Sequence, residues 1–266
     1  MSRKLRLDAE LVRRGLARSR VQATELIAAG RVEVSGATAG KAATQVGTDA
    51  AITVRPTATA PDYVSRGGHK LAGALAAFPA LAVAGRRCLD AGASTGGFTE
   101  VLLAAGAGHV VAVDVGYGQL AWPLRTDPRV TVLDRVNVRG LQPEQVAPAP
   151  GLVTADLSFI SLTLVLPALV ACAAPDADFV LLVKPQFEVG KGKVGAGGVV
   201  RDPALREAAV TAVAAAAAVS GLGVLGVTAS PLPGPSGNVE YFLWLRCGGP
   251  PLDEAALRLA ISAGPQ

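Results

Sequence analysis

Four charged residues of this sequence stand at the edges of apolar runs. Lys70 lies in SRGGHKLAGAL, Asp156 ends the run of ADLSFISL, Lys184 ends that of VLLVKPQFEVG, and Glu240 opens that of GNVEYFLWL. Two amines and two carboxylates can orient a weak nucleophile, move its proton and stabilise the charge that develops on it. A further stretch, LDAGASTGGFTE at 89–100, fits two chemistries. Gly92-Ala93-Ser94-Thr95-Gly96 matches G-x-S-x-G, the nucleophile elbow of serine hydrolases. It also matches a strand ending at an acidic residue, a small-residue loop and an opening helix. That is how a doubly wound sheet cradles a nucleotide-like ligand.

The histidines decide between them. An elbow hydrolase needs an acid and then a histidine downstream of the serine. The chain has two histidines: His69 precedes Ser94, and His109 follows too soon for an acid-bearing strand to intervene. The cofactor reading gains Asp114, which ends VVAVDVG about twenty residues past the loop, where a carboxylate can accept both ribose hydroxyls of an adenosine. Gly92, Gly96 and Gly97 are expected to let backbone approach the ligand and start the helix tightly. Asp90, Ser94, Thr95 and Phe98 belong to the same cradle. Asn137 follows the third strand, where adenine is often held. Gly221, Gly223 and Gly226 form a true G-x-G-x-x-G, but it follows a helix and leads into a strand, the reverse of the required context. No His/Cys/Asp cluster suggests a metal.

These residues need elements to position them. Candidate strands are 87–90, 110–114, 130–133, 152–156, 179–183, 223–228 and 241–246, mostly separated by helical stretches. The turn-rich SPLPGPSGN between the last two is too short for a helical crossover, so they form a hairpin with one antiparallel strand. The expectation is an α/β fold with a seven-stranded, mostly parallel sheet, as in class I methyltransferases. The carboxyl ends of parallel strands line the crevice of such a sheet, which puts Asp156 and Lys184 beside the ligand. Glu240 joins them because its strand runs the other way.

Ahead of this body stands a small α/β module at 1–55, followed by a linker at 56–64 and the large domain at 65–266. Leu7, Leu11 and Leu16 make one helical face. Val21, Ala23, Leu26 and Ile27 make the inward face of a second helix, which Ser19 caps and Gly30 ends. A strand at 31–34 and the turn Ser35-Gly36 follow. The formal net charge is only +4, yet residues 1–60 hold ten Lys/Arg against five Asp/Glu. That concentration suits a polyanion, RNA above all. Arg3, Lys4, Arg6, Arg14, Arg18 and Arg20 are the candidate phosphate contacts, joined by Arg66 and by Lys191 and Lys193 of a glycine-rich basic loop at 190–198 expected to be mobile over the crevice. A solvated basic surface is the plain alternative.

Half of the residues are hydrophobic and 17% are charged, which provides a large core. Cys88, Cys172 and Cys247 lie far apart in apolar runs and read as buried thiols of a reducing cytosol. No secretory leader is visible in MSRKLRLDAE. The charge-free stretch 208–227 is long enough to span a bilayer, but its Ala, Gly and Val content and the break at Ser220-Gly221 favour a buried helix followed by a strand.

The set SRGGHKL, LDAGASTGGFTEVLL, DVGYGQL, DLSFISL, LVKPQFEVG and SGNVEYFLWL resembles the TlyA family, bacterial 2′-O-methyltransferases of ribosomal RNA related to the FtsJ/RrmJ methyltransferases. LDAELVRRGLARSRVQATELIAAGRVEV resembles the RNA-binding domain named for ribosomal protein S4. The resemblance implies S-adenosyl-L-methionine as methyl donor and a cytidine ribose of 16S or 23S RNA, within ribosomal subunits, as acceptor. It implies a cytoplasmic enzyme without stable membrane association. It carries the family's Lys–Asp–Lys–Glu tetrad onto Lys70, Asp156, Lys184 and Glu240. In that reading Lys184 acts on the hydroxyl proton, Asp156 orients Lys184, Lys70 stabilises alkoxide charge and Glu240 holds a lysine or the ribose. Two other functions compete: a haemolysin, a label this family has carried, and a non-catalytic RNA-binding assembly factor.

Overall fold

The computed structural model describes residues 4–17, 20–55, 63–190 and 192–265. Its contacts divide the chain into two compact units, Met1–Asp62 and Tyr63–Gln266.

The first unit contains β1 (Lys4–Arg6), α1 (Leu7–Arg13), α2 (Arg20–Ala28), β2 (Val32–Val34), β3 (Ala37–Thr38), β4 (Gln45–Gly47) and β5 (Ile52–Val54). Strand β1 pairs antiparallel with β4, and β2 lies between β3 and β5. Leu7, Leu11, Ala23, Leu26 and Ile27 meet Val32, Val46 and Ile52 in one small core. Two sequence expectations need correction. Val21 is 70% exposed. Ala23, Leu26 and Ile27 recur at i, i+3 and i+4, and a residue two before Ala23 falls on the opposite side of the helix. Leu16 lies beyond its helix. Gly15 takes φ +71°, and its amide donates to the Val12 carbonyl while the Leu16 amide donates to Leu11, a glycine C-terminal stop. Ser35 and Gly36, at φ +51° and +85°, make the two-residue turn that joins β2 to β3. Ser19 lies outside the described residues.

The second unit runs α3 (Arg66–Ala77), β6 (Arg87–Ala91), α4 (Gly97–Ala104), β7 (His109–Asp114), α5 (Trp122–Arg125), β8 (Val130–Asp134), α6 (Pro143–Val146), β9 (Leu152–Ala155), α7 (Leu162–Cys172), β10 (Asp178–Val183), α8 (Pro185–Glu188), α9 (Pro203–Val219), β11 (Leu222–Ala229), β12 (Tyr241–Cys247) and α10 (Glu254–Ala263). The seven-stranded sheet has the order β11-β12-β10-β9-β6-β7-β8. Only β12 runs antiparallel to its neighbours. Strand residues alternate between two cores, as a sheet covered on both faces requires. Leu89, Val111, Leu181 and Leu243 meet α7, α9 and α10 on one face. Cys88, Val110, Leu182 and Phe242 meet α3 and α4 on the other.

Because β6 pairs with both β7 and β9, the connections reverse direction there. The crevice of a doubly wound sheet opens at that reversal. The stretch 208–227 divides into α9 and β11 as its composition implied, and no helix among the described residues is long and apolar enough to cross a membrane. Cys88 and Cys172 are buried, but Cys247 is exposed. It ends β12, where the alternation that buries Leu243 and Leu245 has run out of covering side chains.

Candidate active site

The loop after β6 is shaped by close approach of the chain to itself. Gly92 has φ +86°, and a Cβ there would stand 2.6 Å from the Asp156 carbonyl oxygen. Gly96 has φ +99°, and a Cβ would collide with Leu120 and Leu124. A Cβ on Gly97 would stand 2.6 Å from the Gly68 amide, so α3 and α4 meet at their N-termini. The glycines expected to admit a ligand therefore admit neighbouring backbone and side chains first. Ser94 (φ +47°) and Thr95 form the exposed tip. Asp114 holds that tip: its Oδ2 accepts from the Ser94 amide at 2.8 Å and its Oδ1 from the Gly116 amide at 2.7 Å. The Val136 amide donates to the Asp114 carbonyl, which brings Asn137 alongside. Asn137 Oδ1 accepts from the Arg139 amide at 3.0 Å and opens a 3-10 turn.

Asp90 is fully buried. Thr99 Oγ1 donates to its Oδ2 at 2.6 Å, and Oδ1 has no hydrogen-bond partner among the described residues. Burial raises its carboxyl to about 7; the Thr99 bond opposes the shift and Asp156 adds to it. A buried, unpartnered carboxylate oxygen is a ready seat for a cationic ligand group. Phe98 turns its ring into the core. Its side chain is 3% exposed and stacks at 6.0 Å on Phe242, because the first inward position of α4 points at the sheet.

The four charged residues gather as two pairs. Lys70, one turn into α3, places Nζ 2.5 Å from Glu240 Oε2, with both side chains almost fully buried. Glu240 Oε1 is buried with no hydrogen-bond partner among the described residues. Lys184 Nζ stands 2.6 Å from Asp156 Oδ1 and donates to Ser158 Oγ at 3.0 Å. Val183 pairs with Tyr241 in the β10–β12 register, so Lys184 and Glu240 are the next residues outward on adjacent strands. A Cβ on Gly67 would lie 3.6 Å from Asp156 Oδ2, which sets the first turn of α3 against the second pair. Ends of β9 and β10, the start of β12 and the N-terminus of α3 thus converge.

Several residues of this region carry no sequence expectation. Phe159 is 92% exposed and takes φ +65°, a strained state for a bulky residue. It lies beside Ser158, and its ring contacts that of Phe187 at 5.4 Å. Glu188 accepts from Ser161 Oγ at 2.5 Å and from the Leu162 amide at 2.9 Å, fixing the start of α7. Its carboxyl is raised by burial, against both bonds. Asn238 Oδ1 accepts from the Val200 amide at 2.9 Å and its Nδ2 donates to the Gly198 carbonyl at 2.8 Å. The end of the glycine-rich loop is thereby tied to the segment that carries Glu240. Arg66 is exposed and donates to the Pro233 carbonyl at 3.0 Å. Lys193 is exposed, and Lys191 lies outside the described residues. A phenylalanine in a strand-to-helix loop was the one available signal for Phe159; Glu188 and Asn238 gave none.

Of the candidate phosphate contacts on the first unit, Arg3 and Arg18 lie outside the described residues. Lys4 and Arg20 are exposed, and Arg6 is 46% exposed. Arg14 is 21% exposed. It bonds Glu10 and donates to the Ala50 and Thr48 carbonyls, so its guanidinium braces the unit itself. Bonds from Arg13 and Arg14 lower the buried Glu10 carboxyl to about 2.

Residues 63–247 match the family described as FtsJ-like methyltransferase, and residues 5–52 match the S4 domain. A Mycobacterium tuberculosis protein named 16S/23S rRNA (cytidine-2'-O)-methyltransferase TlyA is 65% identical over 271 residues, covering all of both chains. The chain belongs to the TlyA family of FtsJ-like methyltransferases. Hemolysin A of Brachyspira hyodysenteriae is also similar, at 37% identity over 89% of this chain and 98% of that one. A solved Streptococcus thermophilus structure named a hemolysin matches with TM-score 0.77 and 37% identity, over 98% of this chain and 96% of that one. The α/β class, the sheet and the S4-type module expected for a TlyA-family chain are all present.

Proposed function

We propose that this TlyA-family chain methylates the ribose 2′-oxygen of a cytidine in ribosomal RNA, within ribosomal subunits, using S-adenosyl-L-methionine. The observation that carries the reading is the convergence of Lys70–Glu240 and Lys184–Asp156 beside the β6 loop. Bound there, S-adenosyl-L-methionine supplies an electrophilic methyl group on a sulfonium. Asp90, with one oxygen unpartnered, would take its ammonium. Asp114 would take the ribose hydroxyls, Asn137 the adenine region, and Gly92, Ser94, Thr95, Gly96 and Gly97 would shape the cradle.

The protein's part is alignment and proton handling. Holding the 2′-oxygen in line with the methyl carbon and sulfur removes much of the entropic barrier. Lys184, fixed by Asp156 and Ser158, steers or accepts the hydroxyl proton. Lys70, fixed by Glu240, stabilises charge on the 2′-oxygen, and the free Glu240 oxygen accepts a ribose hydroxyl. When bound, the donor would give its methyl to the 2′-oxygen and leave as the neutral thioether, with the hydroxyl proton passing by way of Lys184 to solvent. Phe159 offers its exposed ring to a base. Lys4, Arg6, Arg20, Arg66, Lys191 and Lys193, with Arg3 and Arg18, contact phosphates.

The test is transfer of labelled methyl from S-adenosyl-L-methionine to unmodified small and large subunits, with the label mapped to base or ribose. Ribose label that disappears in Lys70→Ala and Asp156→Ala supports the reading. Label on a base, or none from folded protein, refutes it.

A further inference from the structure

We propose that Asp8 is a positioning residue: it clamps Arg6 and Arg20 into a two-guanidinium site for an RNA phosphate. The proposal rests on the RNA reading above and deepens it.

Asp8 is 3% exposed and opens α1. Its Oδ1 accepts from Arg6 Nε at 3.1 Å and from the Ala9 amide at 2.9 Å. Its Oδ2 accepts from Arg6 Nη2 at 3.0 Å and from Arg20 Nη2 at 2.8 Å. One carboxylate, anchored to helix backbone, thus holds a complete fork from β1 and a second guanidinium from the start of α2. The two arginine side chains remain 46% and 60% exposed, and the trio carries one net positive charge. Left alone, the two guanidiniums would repel and sample many rotamers. Held on one carboxylate, they present fixed N–H groups, the geometry that phosphate oxygens accept best.

The neighbouring cluster makes the contrast. Glu10 also holds two arginines, Arg13 and Arg14, but Arg14 turns inward onto the Thr48 and Ala50 carbonyls. That cluster braces the fold, whereas the Asp8 cluster faces out.

Charge and geometry predict opposite outcomes for Asp8→Asn. Removing a negative charge should tighten RNA binding if charge alone matters. An amide of the same shape cannot hold both guanidiniums, so positioning predicts weaker binding. The experiment measures full-length protein against a labelled mixed-sequence RNA hairpin and against unmodified large subunits. We expect Asp8→Asn to weaken both by about tenfold, with a shallower salt dependence and unchanged methyl-donor affinity. In an Arg20→Ala background the same change should add little, as coupled residues require. Should Asp8→Asn unfold the unit, the double variant Arg6→Lys/Arg20→Lys keeps the charge, loses the forks and reads the same point. Tighter or unchanged binding in Asp8→Asn, or in the double lysine variant, overturns the proposal while leaving the RNA reading intact. Wild-type protein that binds neither RNA overturns both.

Discussion

Lys184 Nζ lies 2.6 Å from Asp156 Oδ1, an ion pair between residues that directly follow neighbouring parallel strands. That contact and the Ser158 hydrogen bond restrict where the Lys184 ammonium can point. Asp156→Asn keeps the shape and loses the ion pair, whereas Lys184→Ala removes the amine. Both are expected to slow single-turnover methyl transfer by about 10²–10⁴-fold while S-adenosyl-L-methionine still binds. Near-normal turnover in Lys184→Ala would remove Lys184 from the chemistry.

The Lys70–Glu240 pair is buried more deeply, and there stability and activity separate. Removing one partner leaves an uncompensated buried charge, so Lys70→Met alone or Glu240→Leu alone should cost about 3–5 kcal/mol in urea unfolding. The double change should recover much of that loss and none of the activity. A double variant no more stable than either single one would show that the pair does not act as a unit.

Asp90 gives the protein a stability that depends on pH. Its folded carboxyl is raised to about 7 from 3.8, so between those values the native state binds a proton that the unfolded state lacks. Stability therefore falls as pH rises through that window and levels off above it. Asp90→Asn should remove the slope, and its advantage over wild type should be larger at pH ~8 than at pH ~5. Equal offsets at both would place the Asp90 carboxyl in the ordinary range.

Phe159 presents an exposed ring on a strained backbone. Phe159→Ala should raise KM for ribosomal subunits, losing about 1–3 kcal/mol of base stacking, with donor affinity unchanged. An unaltered KM would make Phe159 a bystander.

Asn238 is a latch between the Gly198–Val200 backbone and the segment leading to Glu240. Asn238→Ala should cost about 1–3 kcal/mol, since it leaves the buried Val200 amide unpaired. It should also speed tryptic cleavage at Lys193. Unchanged cleavage would mean the loop is held by other contacts.

The sheet was legible because each strand is a short apolar run between turn signals, and both faces are covered. Asp156, Lys184 and Glu240 stood out because each is a charged residue at the edge of such a run. Residues whose role is set by distant partners were not. Glu188 holds Ser161, Asn238 holds Gly198 and Asp8 holds Arg20, pairings that no local period encodes. Val21 departs from expectation because its angular position, and not its apolar character, decides which way it faces. Val21 sits on the outer side of its helix, 70% exposed.

The Lys70–Glu240 bond joins positions 170 residues apart. A chain emerging from the ribosome has made its donor loop, Asp156 and Lys184 well before Glu240 appears. Until then the Lys70 ammonium lacks the carboxylate against which it is buried in the complete fold. The hairpin of β11 and β12 therefore completes this pair late in synthesis, and a product truncated before Glu240 lacks the carboxylate that holds Lys70.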